Sequence, residues 1–248
     1  MEDKIRNSIK ILTRAYYDYQ SERTALDGRL GQTKNGDVKA KAPEVDPALL
    51  LPLLSRREEI FALEEETLRG AKNADGKWDR EGSLYSLIHT HPLWKHFLDE
   101  VKGCGEAVAA VIISEFDIHK APTVSNLWSF AGLAPGKDKK VKGTKCPYNQ
   151  FLRAKLCGVL GSSFLKCKSP YSEFYYNFKH RLESEKWGMD SKNPTDKKRP
   201  KAGHQHKAAT RYMIKMFLKD LYVAWRTLEG LEVRAPYQEQ YLDHKHSA

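Results

Sequence analysis

Lys102-Gly103-Cys104-Gly105 stands directly ahead of an Ala/Val/Ile run, and Gly132-Leu133-Ala134-Pro135-Gly136 is followed by a dense run of lysines. The chemistry these residues suit is the gripping of phosphate. Glycines let a backbone approach a ligand closely, and a helix starting near Glu106 leaves its first N–H groups without intrahelical acceptors. Donors of that kind at the positive end of a helix suit a phosphate oxygen. The candidate contacts are Lys102, Gly103 and Gly105, then Lys137, Lys139, Lys140, Lys142 and Lys145 beyond the second glycine cluster. Arg153 and Lys155 extend the set near the start of a later helix, and Lys197, Lys198, Arg199 and Lys201 extend it within a polar loop over residues 188–203. No metal ligand set and no cofactor site is expected: His89, His91 and His96 lie close together without an acidic or cysteine partner at ligand spacing.

These residues need elements to hold them, and the apolar periodicity supplies helices throughout. Ile5, Ile9, Leu12, Tyr16, Tyr19, Arg23, Leu26 and Leu30 recur at alternating spacings of four and three, a coiled-coil seam with one charged interruption, so a helix is expected from about Asp3 to Leu30. Gly31 to Pro47 reads as an exposed linker. A second helix carries Leu50, Leu53, Leu54, Ile60, Phe61, Leu63 and Leu68, with Arg56, Arg57, Glu58 and the Glu64-Glu65-Glu66 run expected on its outer side. The two helices would close into a hairpin or pair with another copy of the chain, and residues 3–70 are the expected oligomerisation segment. Gly70 to Gly82 is a polar break, after which two short helices flank Pro92.

Beyond Val101, an apolar helix over Glu106 to Phe116 and a second one capped by Thr123 and ending at Gly132 lie between the two glycine clusters. Further helices follow over about Tyr148 to Lys166, along the aromatic stripe Tyr171, Phe174, Tyr175, Phe178 and Leu182, and from near His204 with Ile214, Phe217, Leu218, Leu221, Trp225 and Leu228 as its buried face. The aromatic stripe reads as core packing before base stacking. Ser162 and Ser163 sit in an apolar run and read as helix packing. No stretch of useful length shows the period-two alternation of a sheet, so an all-α fold is expected. Residues 1–96 would form the helical hairpin, and residues 97–248 a nucleic-acid-binding domain.

Charge supports this division. The chain of 248 residues has a formal charge of +10. Residues 1–100 hold 16 Lys/Arg against 18 Asp/Glu, so the remaining 26 against 14 give the second part +12. A polyanionic partner follows from an excess so placed. The cysteines Cys104, Cys146, Cys157 and Cys167 form no Cys-x-x-Cys pair, which points to reduced thiols and a cytoplasmic protein. No apolar run approaches the ~18 residues of a membrane span, and the N-terminus lacks the layout of a signal peptide.

Val101-x-Gly103-x-Gly105-x-x-x-Ala109-x-x-Ile112 matches the helix-hairpin-helix, which holds DNA backbone without reading sequence. Together with Leu127-Trp128-Ser129-Phe130-Ala131-Gly132-Leu133-Ala134-Pro135-Gly136 and Lys142-Gly143-Thr144-Lys145 ahead of Asn149-Gln150-Phe151-Leu152-Arg153, it resembles the C-terminal domain of the insertion sequence 110 family of transposases, which includes the Piv-type DNA invertases. The resemblance spans roughly residues 97 to 230, where His206-Lys207-Ala208-Ala209 leads into a similar closing segment. The preceding helical pair resembles the family's coiled-coil connector.

The family implies DNA recombination by a RuvC-like domain bearing acidic metal ligands and a serine nucleophile shortly after the Gly-Leu-x-Pro element, guided in some members by structured RNA. Here the chain is expected to begin at the connector, and residues 136–143 contain no serine, Thr144 being the nearest hydroxyl. The resemblance therefore implies a protein that binds DNA without autonomous catalysis. Two alternatives stand beside it: a recombinase acting with a separate RuvC-like subunit, and a structural protein that binds structured RNA.

Overall fold

The computed structural model describes residues 2–40, 46–135, 142–184 and 202–234, and the fold is all-α apart from one short hairpin of strands. The chain divides into two compact units, Met1–His91 and Pro92–Ala248. No helix among the described residues is long and apolar enough to cross a membrane.

In the first unit, α1 (Glu2–Leu30) and α2 (Pro47–Arg69) pack side by side. The seam read from the sequence is closed by α2 of the same chain: Ile9, Tyr16, Leu26 and Leu30 are buried, as is Ile60 across from them. Asp46 caps α2, its Oδ1 accepting from the Ala48 N–H at 2.9 Å, and Pro47 supplies the preset φ of a first turn.

Arg57 and Glu64 do not lie on the outer side of α2 as their polarity suggests; both are buried in the helix pair. They complete a network whose logic is charge pairing across the seam. Arg23 Nε donates to Glu64 Oε2 at 2.5 Å and its Nη1 to Asp27 Oδ2 at 2.5 Å, while Arg57 Nε donates to Asp27 Oδ1 at 2.9 Å. Arg57 also donates to the carbonyls of Thr33 and Lys34, which ties down the segment after α1. That segment is therefore more than a linker: Gly31 is buried and Gln32 bridges Val38.

The polar break after α2 is likewise structured, with β1 (Ala71–Lys72) antiparallel to β2 (Trp78–Asp79). The Asn73 carbonyl accepts from Gly76 at 2.9 Å to close its turn. α3 (Leu84–Thr90) follows, and there His89 stacks on Tyr85 with ring centroids 3.8 Å apart.

The second unit is built around α5 (Glu106–Glu115), reached through α4 (Pro92–His96) and a 3-10 turn over Leu98–Glu100. Every residue from Val108 to Glu115 is buried, as a helix apolar on nearly all sides must be. Around it lie α6 (Val124–Phe130), α7 (Gln150–Ala154), a π turn over Lys155–Leu160, α8 (Gly161–Lys166), α9 (Ser172–Ser184) and α10 (Ala202–Leu228).

The expected helix from Tyr148 to Lys166 is thus one rod whose middle widens to i→i+5 pairing. The aromatic stripe divides its work. Tyr171 packs with Phe164 and Phe217 at centroid distances of 5.2 and 5.5 Å, and Phe178 stacks on Tyr212 at 4.6 Å, while Tyr176 stays exposed.

Candidate nucleic-acid interface

The Lys102–Gly105 turn is held from one side by α8 and open on the other. Gly103 adopts φ +98°, in the region L side chains rarely enter, and a Cβ there would lie 2.7 Å from Cys167 Sγ and 3.2 Å from Phe164 Cδ1. Ser163 Oγ donates to the Gly103 carbonyl at 2.7 Å, and Cys167 Sγ donates to the Lys102 carbonyl at 3.5 Å. The packing role read for Ser163 is this brace, whereas Ser162 is exposed. Burial, with Glu106 a lesser cause, pushes the Cys104 thiol up to about 12, so it stays protonated at neutral pH and anchors the turn.

Gly105 differs from Gly103 in kind. It is exposed in extended conformation, a Cβ added there would meet nothing within 4 Å, and it begins α5 without a side-chain cap. Lys102 nearby is exposed. The first turn of α5 also carries Glu106, which weakens the positive end of the helix for an anion, so the cations around the turn must outweigh one carboxylate.

Gly132 does a different job from the one its neighbours in the sequence suggest. At φ +68° it ends α6, and a Cβ there would lie 2.6 Å from Tyr148 Cγ, so the glycine is the seat of the Tyr148 ring. Asn149 fixes the same junction: its N–H donates to the Phe130 carbonyl at 2.9 Å, its Nδ2 to the buried Glu115 at 2.5 Å, and its Oδ1 caps α7 through the Leu152 N–H at 3.0 Å. The Arg153 guanidinium then lies 4.7 Å from the Tyr148 ring centre. The Ala131–Pro135 element thus places Tyr148, and Tyr148 places Arg153.

Lys142, Thr144 and Lys145 are exposed on the approach to that junction. Lys155 is half-buried, its ammonium 5.4 Å from the Phe151 ring centre. Lys137, Lys139, Lys140, Lys197, Lys198, Arg199 and Lys201 lie outside the described residues, as does most of the 188–203 loop.

Residues 95–177 match the family model for the transposase IS116/IS110/IS902 family. The matched segment, a third of the chain, runs from α4 into α9 and contains the turn at Gly103, the Gly132 seat and Arg153. No curated protein and no solved structure matches the chain. A transposase-related role follows for this segment, and two glycines fix its geometry in physical terms: one lets α8 brace the turn, the other seats a ring.

A basic groove of about 490 Å³ in the second unit was missed by sequence reasoning. Tyr148, Arg153, Cys157 and Gly158 line one side, and His206, Lys207, Thr210 and Arg211 of α10 line the other. Its signal was present in part, since Lys207 and Arg211 are one helical turn apart. Only the packing of α10 against the π turn shows that Arg153 faces the same space.

Proposed function

We propose that this chain binds DNA through the phosphate backbone as a transposase-related protein without autonomous strand cleavage. The observation that carries the reading is the Lys102–Gly105 turn, exposed at Lys102 and Gly105 and braced by Ser163 inside a transposase-family segment. A braced turn that leads into a helix start without a side-chain cap, with exposed lysines nearby, can hold a phosphate without reading bases. Lys102, Gly105, Lys142 and Lys145 make the first contacts, and the +12 charge of the second part supplies the long-range attraction.

Binding should be steeply salt-dependent and nearly indifferent to sequence. Each neutralised phosphate contributes about 0.9 to the slope of log affinity against log salt on duplex DNA, so replacing Lys102, Lys142 and Lys145 together by alanine should flatten the slope by about 2 to 3. Fluorescence anisotropy on two unrelated duplexes measures this. A flat salt dependence in the native protein, or an unchanged slope in the triple variant, contradicts the reading. The absence of a covalent protein–DNA adduct on supercoiled DNA is the second expectation, and an adduct lost in Thr144→Ala would instead support a recombinase.

A further inference from the structure

We propose that the groove between the Tyr148–Gly158 segment and α10 is a second phosphate site, which takes the backbone of a single nucleic-acid strand. The inference rests on the reading of this chain as a nucleic-acid-binding protein, and names a surface separate from the Gly103 turn. Its α10 wall lies outside the segment matched by the family model.

The lining carries Arg153, His206, Lys207 and Arg211 and no carboxylate among the described residues. Arg153 lines one wall and Arg211 the other, and their charges offset in part the rise that burial gives the Cys157 thiol. Arg153 is pre-set by Tyr148, and His206 is pre-set by its Nδ1 contact with the Tyr175 hydroxyl at 2.8 Å. That contact uses one ring nitrogen, and Nε2 has no protein partner among the described residues. Lys207 is exposed and also has no partner among them.

Size and spacing select the ligand. A volume of about 490 Å³ suits a phosphate with its sugar, the unit that one strand presents. Along α10, Lys207 and Arg211 stand one turn and about 6 Å of rise apart. A pair of cations at that interval matches two successive phosphates of one strand. The π turn contributes by leaving Gly158 and Val159 exposed beside the groove, without side-chain bulk at Gly158.

The test compares the full chain with Lys207→Ala/Arg211→Ala and with the Lys102, Lys142 and Lys145 triple alanine variant. Each is titrated with labelled oligothymidylate and with a mixed-sequence duplex across a salt series. The groove variant should lose about tenfold in affinity for oligothymidylate, with a slope shallower by about 1.4, and should lose less on duplex. The triple variant should show the reverse preference.

Lys207→Arg/Arg211→Lys, which retains both charges, should bind oligothymidylate nearly as the native chain does, and thermal melting confirms that all variants are folded. Native affinity and slope for oligothymidylate in a folded groove variant would overturn the groove site alone. Binding of neither nucleic acid by the native chain would overturn both this inference and the function on which it rests.

Discussion

Glu64→Ala should destabilise the first unit by about 3–5 kcal/mol, because it strands a buried guanidinium. Arg23 is 5% exposed and Glu64 0%, and their Nε–Oε2 contact is 2.5 Å. Removing the carboxylate leaves Arg23 with Asp27, which Arg57 already engages at 2.9 Å, so one carboxylate would serve two buried cations. The measurement is the unfolding transition of the first unit by calorimetry or denaturant. A double variant, Arg23→Met/Glu64→Leu, should recover much of the loss, since apolar residues of similar volume replace a buried ion pair at little cost. A loss under about 1 kcal/mol in Glu64→Ala would mean that water reaches the pair and that the network does not hold the helices together.

Gly103→Val should cost about 3 kcal/mol or more, while Gly105→Ala should fall within about 0.5 kcal/mol of the native chain. At Gly103 a β-branched residue meets a φ of +98° and a Cys167 Sγ only 2.7 Å from its Cβ, with Phe164 and Ser163 close behind. The turn would have to leave α8 and give up the Ser163 hydrogen bond. At Gly105 the backbone is extended and the space is open. Function separates the two positions in the other direction: Gly105→Val should leave the fold intact and still weaken DNA binding, because its bulk stands where a phosphate must approach. Equal stability losses at both glycines would show that the turn is not braced from one side.

Much of this architecture was legible in the sequence because it is local. Ile9, Tyr16, Leu26 and Leu30 recur at helical spacing, and Val108 to Ile113 are apolar on nearly every side, so α1 and α5 follow from periodicity. What periodicity hides is pairing at a distance. Arg57 and Glu64 look like an outer face until Asp27 and Arg23 are seen across the seam, more than a loop away in sequence. Ser162 and Ser163 are neighbours of one type, yet only Ser163 has the Gly103 carbonyl within reach.

The interface shows the same division. Gly103 and Gly132 were identifiable as special positions, although their reason, a sulfur and a tyrosine ring packed against them, lies in residues 164–167 and 148. The groove was hidden more deeply. Arg153 and Arg211 come together only because α10 packs on the widened turn at Lys155–Leu160, and no local pattern in the sequence announces a π turn.

Hydrogen exchange of the full chain, with and without a saturating mixed-sequence duplex, tests most directly whether the Gly103 turn is where DNA is held. Exchange should slow in peptides covering residues 101–108, at the amides of the turn and of the helix start that has no side-chain cap. Bound duplex with unchanged exchange over residues 101–108 would contradict that site.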